Sequence, residues 1–194
     1  NVMTAASVLT QMIRLHQIIC GHVKTDDGEV KSIKSNRIKE LLEVLEETDG
    51  KVIIWAVYRY DIQEIERTLG EKYGKESVAT YYGDTKDNLR QSIVDRFMDA
   101  DDPLRFFVGN PKTGGYGLTL TSSHTVVYYS NDYSLEVRLQ SEDRAHRIGQ
   151  TNKVTYVDLM ADHTIDEKIV KALNAKIDLA SQVMGEDPKK ILFG

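Results

Sequence analysis

The chain has 194 residues, of which 41% are hydrophobic and 28% charged, and its formal net charge is −5. These values are typical of one soluble globular domain, and the acidic balance argues against indiscriminate binding to nucleic acid, although it leaves room for a local basic groove. The single cysteine, Cys20, excludes an internal disulfide and a cysteine-based zinc site. No apolar run approaches the roughly 18 to 20 residues of a membrane span, and we expect an intracellular location, cytoplasmic or, in a eukaryote, nuclear.

The first quarter of the chain predicts two amphipathic helices. Apolar residues recur at helical spacing over residues 4–20 and again over residues 35–48. Between them, "GHVKTDDGEV" (21–30) combines glycines with an acidic pair, which predicts an exposed loop. Because the chain opens on Asn1 inside a helical pattern, we expect it to be a fragment of a longer polypeptide, with residues 1–48 as a helical lead-in.

From residue 51 onward, short apolar runs alternate with helical patterns. Five runs predict strands: "KVIIWAVY" (51–58), "SVATYYG" (77–83), "LRFFVGN" (104–110), "TVVYYSN" (125–131) and "KVTYVDLMA" (153–161). Helical patterns occupy residues 61–73, 87–98, 140–150 and 164–184. This alternation predicts an α/β fold with an open, mostly parallel sheet, helices on both faces, and additional N- and C-terminal helices.

Ligands of such sheets bind beyond the carboxyl ends of the strands. Four stretches are predicted to lie there: "YRYD" (58–61), "YGDTKD" (82–87), "GNPKTGGYG" (109–117) and "SNDYS" (130–134). Three of the four offer glycine, hydroxyl or cationic groups, which indicates a nucleotide or polynucleotide ligand. The alternative is that these loops are simply polar because they are exposed.

The stretch "QSEDRAHRIGQ" (140–150) spaces Gln140, Arg144 and Arg147 at 0, 4 and 7, which predicts that all three lie on one face of a helix. Two guanidinium groups and an amide on one face suit a bidentate oxyanion such as phosphate. The alternative is that both arginines form ion pairs with acidic residues of the same solvated helix.

Two other patterns are rejected as nucleotide or metal sites. "GEKYGKES" (70–77) has three residues between its glycines where a P-loop needs four, and Glu76 follows its lysine, so it predicts a helix end and a turn. "DEKI" (166–169) opens a helix, where the helix dipole accounts for acidic residues. The five histidines have no metal-ligand spacing and are interpreted as structural or solvated. The sequence therefore contains no complete nucleotide hydrolase and no metal site.

The order of these motifs resembles the second RecA-like lobe of superfamily-two helicases, and within them the SWI/SNF-type DNA translocases. That branch has the motif Gln-Ala-x-Asp-Arg-x-His-Arg-x-Gly-Gln, which residues 140–150 match with Ser141 in place of alanine. "TGGYGLTL" (113–120) resembles the Ala-Gly-Gly-x-Gly-x-Asn-Leu element of the family, with Thr113 and Thr119 as departures. Residues 133–135 replace the usual Trp-Asn-Pro, so we place the chain in a divergent, prokaryotic or phage-type branch and do not expect nucleosomes as its substrate.

The resemblance implies one helicase C-terminal domain over residues 1–194, with residues 164–194 as a C-terminal helix. The parent protein is implied to be an ATP-dependent translocase or helicase whose missing first RecA-like lobe binds most of the ATP and Mg²⁺, so this chain alone would not hydrolyse ATP. Double-stranded DNA and that first lobe are the implied partners. Arg144 and Arg147 are the implied catalytic arginine fingers. The implied ATP-binding residues are Gly115, Gly117, Gln140, Arg144 and Arg147. The implied DNA-binding residues are Arg59, Thr85, Lys86, Lys112 and Thr113.

Two alternative functions stay open. The chain could be a docking module for nucleic acid or protein that has kept the fold of such a lobe, or it could belong to a motor that serves a restriction nuclease. The missing P-loop fits both the motor lobe and the docking module. The pair Arg144 and Arg147 favours the motor lobe, because a docking module has no use for two arginine fingers.

Overall fold

Five parallel strands form the centre of the molecule. The structure is a computed structural model that describes residues 5–25, 27–113, 118–147 and 150–184. In chain order its elements are α1 (Ala5–Cys20), β1 (His22–Lys24), β2 (Val30–Ser32), α2 (Arg37–Glu46), β3 (Lys51–Trp55), α3 (Arg59–Tyr73), a 3-10 turn (Lys75–Ser77), β4 (Val78–Tyr81), α4 (Asp87–Met98), β5 (Phe106–Gly109), β6 (Ser123–Tyr128), α5 (Leu135–Asp143), β7 (Thr155–Asp158) and α6 (Ile165–Met184).

The sheet has the strand order β4-β5-β3-β6-β7, and every neighbouring pair is parallel. The central strand β3 pairs with β5 on one side and β6 on the other, with Val52 opposite both Phe106 and Thr125. Its apolar run is fully buried from Val52 to Trp55, as a strand covered on both faces requires. The predicted α/β class, the parallel RecA-like sheet and the terminal helices are confirmed.

Two hydrophobic clusters fill the two faces of the sheet. Val52 and Ile54 of β3 pack with Leu45 of α2 and with the buried residues of α3. Ile53 and Trp55, which point the other way because side chains alternate along a strand, pack with residues of α4 and of the segment after α5. No helix within the described ranges is long and apolar enough to cross a membrane.

Two sequence predictions are corrected by the structure. Residues 21–30 were expected to be a loop, but they include β1 and part of β2, which form a short antiparallel pair. The helix expected over residues 140–150 begins earlier, at Leu135, and ends at Asp143. Beyond that end, the Arg144 carbonyl, which the helix leaves without an internal partner, accepts a hydrogen bond from the Leu120 amide at 2.8 Å.

A buried polar cluster attaches the terminal helices to the sheet. Arg37, at the start of α2, donates to the carbonyl of Tyr129 at 2.5 Å and to the carboxylate of Asp166 in α6. His16 of α1 lies 3.4 Å from the same carboxylate. Asp166 is therefore more than a dipole-compensating acid at a helix start, and His16 has the structural role that the sequence predicted. His22, also buried, likewise lies 3.0 Å from a buried carboxylate, that of Asp61.

We predict that Asp166→Asn lowers the free energy of unfolding by about 3–5 kcal/mol, because it leaves the buried Arg37 guanidinium without its countercharge. Burial alone would raise the pKa of Asp166, but His16 and Arg37 outweigh burial and hold that pKa below its ordinary value. The stabilisation is therefore present above about pH 4 and is lost as the pH falls through the lowered pKa of the folded state.

Chemical denaturation at pH 7 and in acid measures both effects. The control is Lys39→Ala, which removes an exposed ion pair with Glu43 and should cost under about 1 kcal/mol. Equal losses for the two variants at pH 7 would contradict the prediction.

Candidate functional site

The loops that follow β3, β4, β5 and β6 meet at the carboxyl edge of the sheet. Asn110, directly after β5, donates to the Val57 carbonyl at 2.8 Å, and its side-chain oxygen accepts from the Lys112 amide at 2.9 Å. Ser130, after β6, accepts from the Val57 amide at 2.9 Å. These contacts tie three loops together, so the backbone at this edge has a fixed shape.

The glycine-rich segment leaves this edge after β5. Its residues 114–117, which include Gly115 and Gly117, lie outside the described residues. Both flanks of the segment are described, and each is contacted by one of the two arginines singled out in the sequence. Arg144 donates from Nη2 to the Pro111 carbonyl at 3.1 Å, and Arg147 donates from Nη1 to the Thr119 hydroxyl at 3.1 Å. The two arginines therefore hold the glycine-rich segment at its two ends.

Arg144 is buried, with 4% of its surface exposed. Its guanidinium lies 5.0 Å from the ring of Trp55, and its Nη1 is buried without a hydrogen-bond partner in the part of the chain that the structure describes. Burial lowers the pKa of Arg144 below the ordinary arginine value.

Arg147 and Gln140 lie in different surroundings from Arg144. Arg147 is partly exposed, with its Nε 3.1 Å from Asp143, so the local ion pair that the sequence offered as an alternative is present for this arginine. Gln140 donates to Glu136 on its own helix at 3.0 Å. Because α5 ends at Asp143, the three residues do not share one helical face, and that prediction is wrong.

Arg138 is a site residue that the sequence did not single out. It contacts Glu142 at 2.6 Å, Asn131 at 2.8 Å and Asp158 at 2.5 Å, and its guanidinium lies 3.6 Å from the centre of the Tyr128 ring. This network attaches α5 to β6 and β7. It therefore fixes the position of the helix that precedes Arg144 and Arg147. The spacing of Arg138 and Glu142 signals an ion pair within the helix, but nothing in the sequence indicates the contacts with Asn131 and Asp158.

Gln150 fixes the end of the segment that follows α5 and carries Arg144 and Arg147. Its side-chain nitrogen lies within hydrogen-bond distance of three carbonyls, of Thr121 at 3.1 Å, Ser123 at 2.9 Å and Ala145 at 3.2 Å. The glutamine that ends the matched motif therefore joins the residues after α5 to the start of β6. Its role is structural, and motif matching alone gave no indication of it.

Two of the predicted DNA-binding cations are paired with carboxylates. Arg59 lies 2.5 Å from Asp84, and Lys112 lies 2.6 Å from Asp132, with both cations largely exposed. Thr85 is used within its own turn, where its hydroxyl accepts from the Tyr82 amide and donates to the Thr80 carbonyl.

The other two predicted DNA-binding residues are Lys86 and Thr113. Lys86 is exposed just before α4, and the Thr113 amide donates to the Asn110 carbonyl at 2.9 Å. The structure thus brings all five candidates to the carboxyl edge. Within the described ranges there is no group of three or more His, Cys, Asp or Glu side chains that could hold a metal ion.

Comparisons with known proteins identify the class of this chain. The family described as "helicase conserved C-terminal domain" matches residues 33–149, and the chain belongs to it. Similar proteins include the ATP-dependent helicase fft2 of Schizosaccharomyces pombe, 31% identical over 94% of this chain and 14% of that protein. The ATP-dependent helicase FUN30 of Saccharomyces cerevisiae is 28% identical over 90% of this chain and 16% of its own length.

A solved structure shows which lobe of such proteins this chain resembles. The C-terminal part of the Fun30 ATPase domain superposes with a TM-score of 0.65 and 27% identity, over 72% of this chain and 46% of that one. The chain is thus a C-terminal RecA-like lobe of the SWI/SNF type, as the motifs predicted. It spans about one seventh of the length of the first relatives that it matches.

We predict that Arg138→Lys lowers the free energy of unfolding by about 1.5–3 kcal/mol, because an ammonium cannot replace the planar fork that bonds Glu142, Asn131 and Asp158 together. Denaturant unfolding measures the loss. The control is Arg67→Lys on α3, where the exposed arginine contacts Glu64 and Glu71 and the same exchange should cost under about 1 kcal/mol. A loss no larger than that of the control would show that the network does not stabilise the lobe.

Proposed function

We propose that this chain is the second motor lobe of an ATP-dependent DNA translocase and that it supplies Arg144 and Arg147 to the ATP phosphates. The observation that carries the proposal is the contact of these two arginines with opposite flanks of the glycine-rich segment. In this arrangement the Arg144 guanidinium lies beside Pro111, just after β5 at the carboxyl edge of the parallel sheet, where nucleotides bind in such folds. The Arg147 guanidinium lies beside Thr119, on the segment that leads into β6.

The chemistry of the two arginines suits a phosphate ligand. Arg144 has a buried Nη1 without a partner in the described part of the chain, and a buried donor of this kind gains strongly from an anionic acceptor. Within the described residues, Arg147 is held by a partly exposed ion pair and one hydroxyl, so it can exchange these contacts for a phosphate at small cost.

The proposed division of labour assigns the P-loop and the acidic Mg²⁺ ligands to a first RecA-like lobe of the same polypeptide. Bound Mg²⁺ supplies charge neutralisation at the phosphates. The arginines of this lobe donate to the oxygens on which negative charge grows in the transition state, so their effect falls on the rate of hydrolysis. Gly115 and Gly117, with no Cβ, allow the backbone to approach the nucleotide closely.

The proposal covers the DNA as well. Arg59, Thr85, Lys86, Lys112 and Thr113 would contact phosphates of a double-stranded DNA backbone, since they surround the same edge. The family relatives carry names of helicases and, in Arabidopsis thaliana, of a chromatin remodeling protein, which supports DNA as a partner and an intracellular location. The expectations of a prokaryotic or phage-type origin and of a substrate other than nucleosomes stay predictions.

We predict that Arg144→Ala and Arg147→Ala each lower kcat for ATP by about 10³ to 10⁵ in the protein that joins this lobe to its P-loop lobe. Affinity for ATP should change little, because the first lobe binds the ground-state nucleotide. Lysine at either position should restore little of the rate, since an ammonium is a point charge without the planar fork. Steady-state ATPase kinetics and equilibrium nucleotide binding measure the two effects separately.

The control for these variants is Arg67→Ala, which removes an exposed arginine of α3 far from the carboxyl edge and should leave turnover unchanged. If both arginine-to-alanine variants of the site turn over ATP at the wild-type rate, the motor-lobe role of the pair is lost. The docking module then becomes the better account of this chain.

We predict that Asp132→Asn increases the affinity of the chain for double-stranded DNA and steepens its salt dependence by about one unit of slope. The substitution releases Lys112 from its carboxylate, so one more cation can neutralise a phosphate and release a counterion. Titrations with a labelled duplex at several salt concentrations measure both quantities.

Asp101→Asn is the matched control, because it removes the same charge from an exposed loop before β5, at the opposite edge of the sheet. Equal gains in affinity for the two variants would mean that only net charge matters and that this edge is not the DNA site.

A further inference from the structure

Trp55 is the last residue of the central strand and the only tryptophan of the chain. It is fully buried, and its carbonyl accepts from the Tyr129 amide at 2.9 Å, which fixes the backbone at this point. The indole packs edge-on against Phe107, with 5.9 Å between the ring centres. Its Nε1 has no hydrogen-bond partner within the described residues, so packing holds the ring in place.

Gly109 of the adjacent strand makes room for this indole. A Cβ at Gly109 would lie 2.8 Å from Cζ3 of Trp55 and 2.9 Å from the Tyr81 carbonyl oxygen, and neither distance is possible without displacement. The backbone of Gly109 adopts an ordinary conformation, so the close approach, and not a left-handed turn, explains the glycine. Glycine at position 109 therefore leaves room for the Trp55 indole, and alanine at position 109 would not.

The indole of Trp55 also contacts the guanidinium of Arg144, which lies over the ring at 5.0 Å from its centre. This guanidinium is buried, makes no ion pair within the described ranges, and donates one hydrogen bond, to the Pro111 carbonyl. An arginine that is buried without a carboxylate needs another source of stabilisation, and the π face of tryptophan is the strongest that an uncharged side chain offers.

We propose that Trp55 is the positioning residue for Arg144. The indole and the Pro111 carbonyl fix the plane of the guanidinium, and Nη1 is kept free for the phosphate. The inference rests on the proposed function, because it assigns Trp55 an effect on hydrolysis that acts through Arg144. It goes beyond that function by adding a residue that never contacts the nucleotide.

The first experiment tests the contact itself and does not depend on ATP. Because Trp55 is the only tryptophan, fluorescence of the 194-residue chain excited at the long-wavelength edge of tryptophan absorption, where the ten tyrosines do not absorb, reports on this ring alone. Arg144→Ala removes the cation beside the indole and should change the emission maximum and intensity, whereas Arg147→Ala should leave both at their wild-type values. An unchanged spectrum for folded Arg144→Ala overturns the proposal.

The second experiment tests the positioning role in the protein that contains both lobes. Trp55→Phe keeps an aromatic face but changes its size and position, and we expect it to lower kcat on the order of 10²-fold at unchanged ATP affinity. In the Arg144→Ala background the same substitution should lower kcat no further, because the residue on which Trp55 acts is already absent. Equal loss in both backgrounds, or no loss in the wild-type background, overturns the proposal.

Phe106→Leu is the control for a general packing defect. Phe106 is a buried aromatic residue of the neighbouring strand on the other face of the sheet, so its substitution should lower the melting temperature and leave kcat unchanged. If Arg144→Ala alone leaves kcat unchanged, the positioning role fails, and if Arg147→Ala leaves it unchanged as well, the proposed function fails too. The fluorescence result still decides whether the contact exists, so the two failures can be told apart.

Discussion

The parallel alignment of all five strands is the constraint on which the rest of this lobe depends. Because the strands run in one direction, the loops after β3, β4, β5 and β6 must all emerge at one edge. Asn110 and Ser130 then hold the loops to one another through the backbone of Val57. The site is therefore assembled from residues far apart in the sequence, and the buried apolar runs of the strands determine where it forms.

Three largely buried arginines show how the lobe separates structure from function. Arg37 is neutralised by Asp166 and bonded to backbone carbonyls, and Arg138 is neutralised by Asp158 and Glu142. Both arginines are paired with carboxylates, and both attach helices to the sheet. Arg144 has an aromatic face and one carbonyl but no ion pair within the described residues. A buried cation left in this state costs stability, and such costs are typical of functional positions.

The sequence predicted the elements far better than the polar contacts. Apolar periodicity gave the limits of α4 and of the strand cores, because burial repeats at short and regular spacings. The end of α5 at Asp143 was not predicted, and the sequence pattern gave no sign that the next residues bond to a distant part of the chain, as the Arg144 carbonyl does with the Leu120 amide. The motif singled out Arg144 and Arg147 as candidates for phosphate binding. It gave no indication of the burial of Arg144 or of the network of Arg138, which depend on how separate elements pack.

The pairing of Arg59 with Asp84 and of Lys112 with Asp132 has a consequence for how long DNA stays bound. A phosphate that binds either cation must displace a carboxylate that is tethered a few ångströms away. The carboxylate remains close by at a high effective concentration and competes for the cation as soon as the phosphate moves. For a lobe that holds DNA as proposed, each contact therefore has a fast dissociation rate built into it. A motor that releases one phosphate before it grips the next benefits from contacts of this kind.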